Sequence, residues 1–477
     1  MASAVERFIR SAVTRGVTRL AEFNRARQPA DRPDPFLETI HAPMRAELEI
    51  VEPEVVGAIP AGLDGRYLRI GPNPVRPDVR GHHWFVGDGM VHGLRLHGGR
   101  AAWYRNRWIR SGAVASALHE TPAPGPRHGS FDTVNTAIIG HDGTIRALVE
   151  AGSTPVRLAP ELDGQSYDDF GGTLHSAFAA HPHLDPLTGE LHAIAYQATE
   201  PDHVTHVVVD AHGRVTRELR IPMKHGPMIH DCAITGRYVL VLDLPVGFSM
   251  RALIAGEGFP YRWKPRQAAR VGLLPRTGAV ADIVWISVDP AFVFHTVNAY
   301  DTADGLVVLD VVAYDRMFAP GAQGPDAQPR GLERWTLDPR ARSLRRTVLH
   351  DQPQEFPRID ERRTGQPHRY AWSLGLSPRL HAEFIDAGHV WKHDLQTGQH
   401  WRHDFGPGRI AGEFVFVPRH AGAEEGDGWL LGLVMDPATE TTELAILDAR
   451  DFEAPPLARV KIPHRVPPGF HGAWIPD

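Results

Sequence analysis

From about residue 50 onward the chain repeats one pattern: short β-branched or aromatic runs separated by glycine or proline turns. RYLRIGPNP, NTAIIGHDGTIRALVE, GELHAIAYQ, HVTHVVVDAHGRVTREL, YVLVLDLP, DIVWISVD, GLVVLDVVAY and GWLLGLVMD all read this way. The turns HDGT, AHGR and HGGR predict tight hairpins, because glycine takes up the positive φ that short loops require. YVLVLDLP and LVVLDVVAY are almost continuously apolar, as strands buried on both faces are. The 46 glycines and 41 prolines carry the same punctuation through the whole chain. So many short strands, with no long helical stretch between them, predict an all-β fold. Small sheets repeated around an axis leave few exposed edges, which favours a β-propeller. No crisp internal repeat is visible, and a double-sheet sandwich array fits the pattern alone as well.

The 477 residues show no compositional break after the N-terminus, so 35–477 is read as one catalytic domain. Residues 1–34 are set apart as an N-terminal amphipathic helix and linker. Val5, Phe8, Ile9, Val13, Val17 and Leu20 fall at helical spacing, with Arg7, Arg10, Arg15 and Arg19 among them. Such a helix fits a membrane surface or the protein's own surface. The polar, proline-broken RARQPADRPDP from Arg25 to Pro35 then predicts a linker.

A formal net charge of −6 argues against a nucleic-acid partner. Cys232 is the only cysteine, so no intrachain disulfide forms, which suits a reducing compartment. No apolar run is long enough to span a bilayer, and the N-terminus lacks the apolar core of a secretory signal. The expectation is a cytoplasmic protein, with peripheral membrane contact through the N-terminal helix and no obligate protein partner. Motifs of a serine-hydrolase elbow, a zincin helix or a phosphate-binding loop are absent.

Among 28 histidines, four stand far apart in distinctive segments: His181 in AAHPHLDP, His230 in MIHDCAIT, His295 in VFHTVNAY and His471 in PGFHGAWI. Brought together by inner strand ends of separate blades, they would form an all-nitrogen cage suited to iron, copper, zinc or nickel and poor for magnesium or calcium. Spacing alone does not choose between His181 and His183, which share an HPH unit.

Across roughly residues 35–477, these segments, with GRYLRIGPNP, HHWFVGDGMVHGLRL and PPGFHGAWIPD, resemble the carotenoid cleavage oxygenase family in the family's order. The resemblance implies a seven-bladed β-propeller with a loop and helical cap over a non-haem Fe(II) site. It implies His181, His230, His295 and His471 as ligands, supported by Glu150, Glu355 and Glu413 as hydrogen-bond acceptors. Thr136 matches a small residue that crowds one open position on the metal in some members; its other reading is a plain strand threonine. The implied partners are O2 and an apolar small-molecule alkene, cleaved at a carbon–carbon double bond into two carbonyl products. Phe178, Phe294, Phe470 and Trp474 neighbour the ligands and are candidate substrate-lining residues, each equally at home in a core.

Stilbene-cleaving members resemble one another in a lysine directly before the first glutamate, where it meets the substrate phenol. That position here is Val149, which has no hydrogen-bonding group. An apocarotenoid-like alkene is therefore expected, with a stilbene as the alternative. The isomerohydrolase branch is disfavoured, since its cysteine-bearing acylation segment is missing.

Overall fold

The computed structural model describes residues 16–129, 131–381 and 383–477. Among them seven antiparallel sheets surround one axis as a β-propeller. The first blade runs outward from Gly472–Pro476 through Gly65–Pro72, Gly89–His97 and Arg100–Trp108 to Glu49–Val51. Its innermost strand thus comes from the C-terminal end of the chain and pairs with one from the N-terminal part, which closes the ring. The second to sixth blades follow in chain order, and their innermost strands are Ala137–His141, His183–Leu184, Ala233–Ile234, Phe292–Asp301 and Gln354–Ile359. The seventh begins at Ile410–Pro418 and takes Val55–Gly57 as its outermost strand.

Local chemistry accounts for the hairpins. Asp142 and Gly143, between Ala137–His141 and Thr144–Leu148, have φ of 51° and 73°, and Gly98 and Gly99 have 55° and 75°. Two successive positive φ values match the twist of the flanking strands. Val307–Tyr314 is buried along its whole length, as its unbroken apolar run predicts.

The cap consists mainly of loops, with a short helix at Met250–Ile254 and a 3-10 turn at Trp84–Val86. Residues 16–26 are helical. The helix end is held to the cap: Asn24 Nδ2 donates to the Ile254 carbonyl (2.7 Å) and Gln28 Nε2 to that of Ala255 (3.1 Å). Leu20 and Phe23 remain exposed, whereas Val5, Phe8, Ile9, Val13, Arg7, Arg10 and Arg15 lie outside the described residues. The segment from Arg25 to Pro35 differs from the linker its composition predicts. Asp34 is fully buried and paired with His82 Nδ1 at 2.8 Å, a tertiary contact that local composition does not encode.

Candidate metal centre and its cavity

All seven blades bring a predicted residue to one end of the axis at, or just before, the innermost strand. Thr136, His181, His230 and His471 precede theirs, while His295, Glu355 and Glu413 lie within theirs. The pairing of the last three strands slips next to these residues, between Val293 and Thr296, Glu355 and Arg358, and Ala411 and Phe414. Bulges of this kind re-aim a side chain out of the pleat. Phe356, inside the second irregularity, takes a left-handed φ of 50°, a costly conformation for a phenylalanine. Its amide donates to Glu355 Oε2 (2.6 Å), and its ring packs 5.3 Å from that of His295 and 5.2 Å from that of His471.

The four imidazoles converge through Nε2. Successive separations are 3.1 Å from His181 to His230, 3.3 Å from His230 to His295 and 3.0 Å from His295 to His471. On the far side of each ring, Nδ1 meets a carboxylate in three cases: His230 with Glu150 (2.5 Å), His295 with Glu355 (2.5 Å) and His471 with Glu413 (2.9 Å). A carboxylate accepts, so Nδ1 carries the proton and Nε2 presents a bare lone pair. Several lone pairs about 3 Å apart repel one another unless a cation lies between them. Nitrogens bound at about 2.1 Å and at right angles on one ion stand about 3 Å apart, so the donor set fits a six-coordinate metal with two positions left for other ligands. Burial, reinforced by the neighbouring imidazoles, holds His181 and His471 well below the ordinary histidine range, which keeps them neutral.

The carboxylates are themselves fixed. Tyr196 donates its hydroxyl to Glu150 Oε1, Tyr314 donates to Glu355 Oε1 (2.8 Å), and the Gly472 amide donates to Glu413 Oε2 (2.8 Å). Burial and the adjacent carboxylate push both phenols well above their usual range, so each stays a donor. Neither tyrosine was singled out from the sequence.

His183 faces elsewhere. Its Nε2 lies 2.8 Å from Asp231 Oδ1, while Asp231 Oδ2 accepts from the Thr296 amide (2.7 Å) and hydroxyl (2.9 Å). Burial opposes both charges, yet their pairing raises the imidazole and lowers the carboxyl. Of the HPH pair, His181 is the member in the ring of four.

On the cap side the histidines open into a cavity of about 310 Å³. Thr136, Val149, Glu150, His230, His295 and His471 line its floor, and Phe294 and Phe470 are in its wall. Thr136 donates its hydroxyl to Asn135 Oδ1 (2.9 Å), and Asn135 Nδ2 is held by the Phe85 and Gly87 carbonyls. Two expected lining residues lie elsewhere. Phe178 packs 5.0 Å from Phe170 in the core shared by the second and third blades, because the chain before His181 runs between sheets. Trp474, with the rest of Gly472–Pro476, lines a second cavity, of about 590 Å³, at the other end of the axis. Trp84, Phe85, Phe259, Tyr261 and Phe384 complete the aromatic wall. Of these, only Trp84 and Phe85 stand in a family-like motif segment, HHWFVGDG.

Comparison with known proteins agrees with this geometry. The family described as "Retinal pigment epithelial membrane protein" matches residues 41–476. A "Carotenoid cleavage oxygenase" of Mycobacterium tuberculosis is 37% identical, over 94% of this chain and 99% of its own. A "Carotenoid 9,10(9',10')-cleavage dioxygenase 1" of Arabidopsis thaliana is 30% identical, over 94% and 91%. The crystal structure of a Pseudomonas brassicacearum lignostilbene dioxygenase superposes with a TM-score of 0.83 at 27% identity, covering 94% of this chain and all of that one. The chain belongs to the carotenoid cleavage oxygenase family of alkene-cleaving dioxygenases, which includes both carotenoid- and stilbene-cleaving relatives.

Proposed function

We propose that the protein is an Fe(II)-dependent dioxygenase that cleaves a carbon–carbon double bond of a carotenoid or apocarotenoid with O2. Both oxygen atoms enter the two carbonyl products, so the reaction balances without a separate reductant. The observation that carries this reading is the convergence of four imidazole Nε2 atoms, with three of the rings lining an aromatic cavity.

His181, His230, His295 and His471 would hold the metal, and Glu150, Glu355 and Glu413 keep three of them in the required tautomer. When bound, Fe(II) supplies a centre that activates O2, and two open positions suit it better than a closed structural site. The aromatic wall binds an elongated apolar chain and excludes water. Thr136, which lines the cavity, would narrow the approach to the metal. Val149 offers nothing to a phenol, which favours an apocarotenoid over a hydroxystilbene. Stilbene cleavage is the second reading, supported by the likeness to the lignostilbene dioxygenase.

Supply of such a substrate fits peripheral contact with a membrane. Among the described residues no helix is long and apolar enough to cross one. Exposed Leu20, Phe23 and Met250 lie on the helix and cap segment joined through Asn24, and Arg25 and Leu253 of these segments line the cavity. On this reading a cytoplasmic protein draws an apolar alkene from a lipid surface.

The test is anaerobic reconstitution with Fe(II), followed by O2 and product mass spectrometry on carotenoids, apocarotenals and hydroxystilbenes. Paired carbonyl fragments from an apocarotenal, dependent on both iron and O2, are expected. Full turnover by metal-free protein would overturn the reading.

A further inference from the structure

Three more histidines converge away from the axis, at the outer edges of two neighbouring blades. His350 ends Ser343–His350, the outermost strand of the fifth blade. His393 and His400 are cross-strand partners on the two outer strands of the sixth, His389–Asp394 and Gln399–Asp404. One ring nitrogen of each lies within 4.8 Å of the other two, and the Nδ1 atoms of His393 and His400 are 2.9 Å apart.

The surrounding hydrogen bonds decide where the protons are. Gln354 Nε2 donates to the Gln352 carbonyl (3.1 Å) and to His350 Nδ1 (3.0 Å), so its Oε1 accepts from the Ser373 hydroxyl (2.7 Å). Having given its one hydrogen, Ser373 Oγ accepts from His393 Nε2 (3.0 Å). A neutral imidazole has one N–H, so His393 Nδ1 is a bare lone pair directed at His400. Burial lowers all three histidines, His350 to about 4, so none is charged near neutral pH. The bare Nδ1 of His393 therefore faces the other two rings of the cluster.

We propose that His350, His393 and His400 form a second metal site, which takes Zn2+. Three neutral nitrogens with no carboxylate suit a borderline first-row cation and not calcium or magnesium. Three imidazoles and a water complete the tetrahedral set of zinc, whose Zn–N distance is about 2.0–2.1 Å. The half-buried His350 ring closes the remaining distance by turning toward the His393–His400 pair, which exchanges the Gln354 donation to its Nδ1 for the ion, and its partial exposure gives the ion a way in. Bound there, zinc clamps the outer edge of the fifth blade to that of the sixth.

The experiment is equilibrium dialysis of the iron-loaded enzyme against micromolar ZnCl2, with both metals counted by mass spectrometry. One zinc per chain is expected with iron content unchanged. His400→Asn, on a partly exposed outermost strand, should bind zinc at least about tenfold more weakly and keep its iron and its alkene-cleaving activity. His393→Ala should behave alike; as His393 is buried, His400→Asn carries the test if that variant folds poorly. Failure of the wild type to retain zinc, zinc gained only in exchange for iron, or undiminished binding by His400→Asn would each overturn the proposal.

Discussion

His295 Nδ1 donates to Glu355 Oε2 at 2.5 Å, and the other oxygen of that carboxylate accepts the Tyr314 hydroxyl at 2.8 Å. The chain runs from a buried phenol on the neighbouring strand of the same blade pair to a metal-facing nitrogen, so ring orientation is set two residues away from the metal. Acceptors in this position typically govern metal affinity by about 10–100-fold. Glu355→Gln is expected to weaken iron retention within that range against a chelator. Tyr314→Phe should weaken it less, since the Phe356 amide still holds Glu355. Unchanged iron content in Glu355→Gln would separate the carboxylate from metal binding.

His183 supplies the complementary test. With its Nε2 committed to Asp231, His183→Asn should keep a full complement of iron, whereas His181→Ala should lose it. The cost of His183→Asn falls on stability: Asp231 is buried and loses one of its partners, worth about 1–3 kcal/mol. Denaturant unfolding and metal analysis on the two variants separate the roles; iron loss in His183→Asn would contradict the assignment.

The pair also marks how far the residues could be read before folding. Strand and turn chemistry is local, so the all-β architecture and the hairpins at Asp142 and Gly98 were legible. Two histidines flanking a proline in one short segment are equivalent to spacing; the family resemblance selects His181, and in the fold the tertiary partner Asp231 separates them. Phe178 and Trp474 failed as cavity residues for a related reason, since nearness in sequence to a ligand says nothing about which side of a sheet a ring enters. The hydroxyls of Tyr196 and Tyr314 had no signal at all: one directly follows and the other ends an ordinary apolar strand run, and the role of each depends on a carboxylate from the neighbouring blade.

Val149 is the position at which substrate class should respond. It lines the cavity next to Glu150, and its isopropyl group presents only carbon to the substrate. Val149→Lys places an ammonium there, able to bind a phenolate but costly against a polyene. The ratio of kcat/KM for a 4-hydroxystilbene to that for an apocarotenal is expected to rise at least about tenfold, the equivalent of about 1.4 kcal/mol. The iron content should be unchanged. A ratio that stays level would mean that substrate class is decided elsewhere in the wall.

Acid should destabilise the fold through histidines remote from the metal centre. Burial lowers His41, His192, His368 and His389 from 6.5 to about 4, and His206 to about 3. His192 and His206 face each other at 3.2 Å between adjacent strands of the third blade, where a second positive charge has no favourable place. In the unfolded chain these groups titrate near 6.5, so between that value and about 4 the unfolded state binds more protons than the native one. Their stabilisation is therefore complete above pH 6.5 and is lost progressively as the pH falls toward 4. The urea midpoint should drop between about pH 7.5 and about pH 5. Because release of a metal on acidification would mimic the effect, the measurement belongs on metal-free protein as well as on the loaded enzyme, and the drop should appear in both. A flat profile in the metal-free protein would show that these histidines are already accessible to protons in the native state.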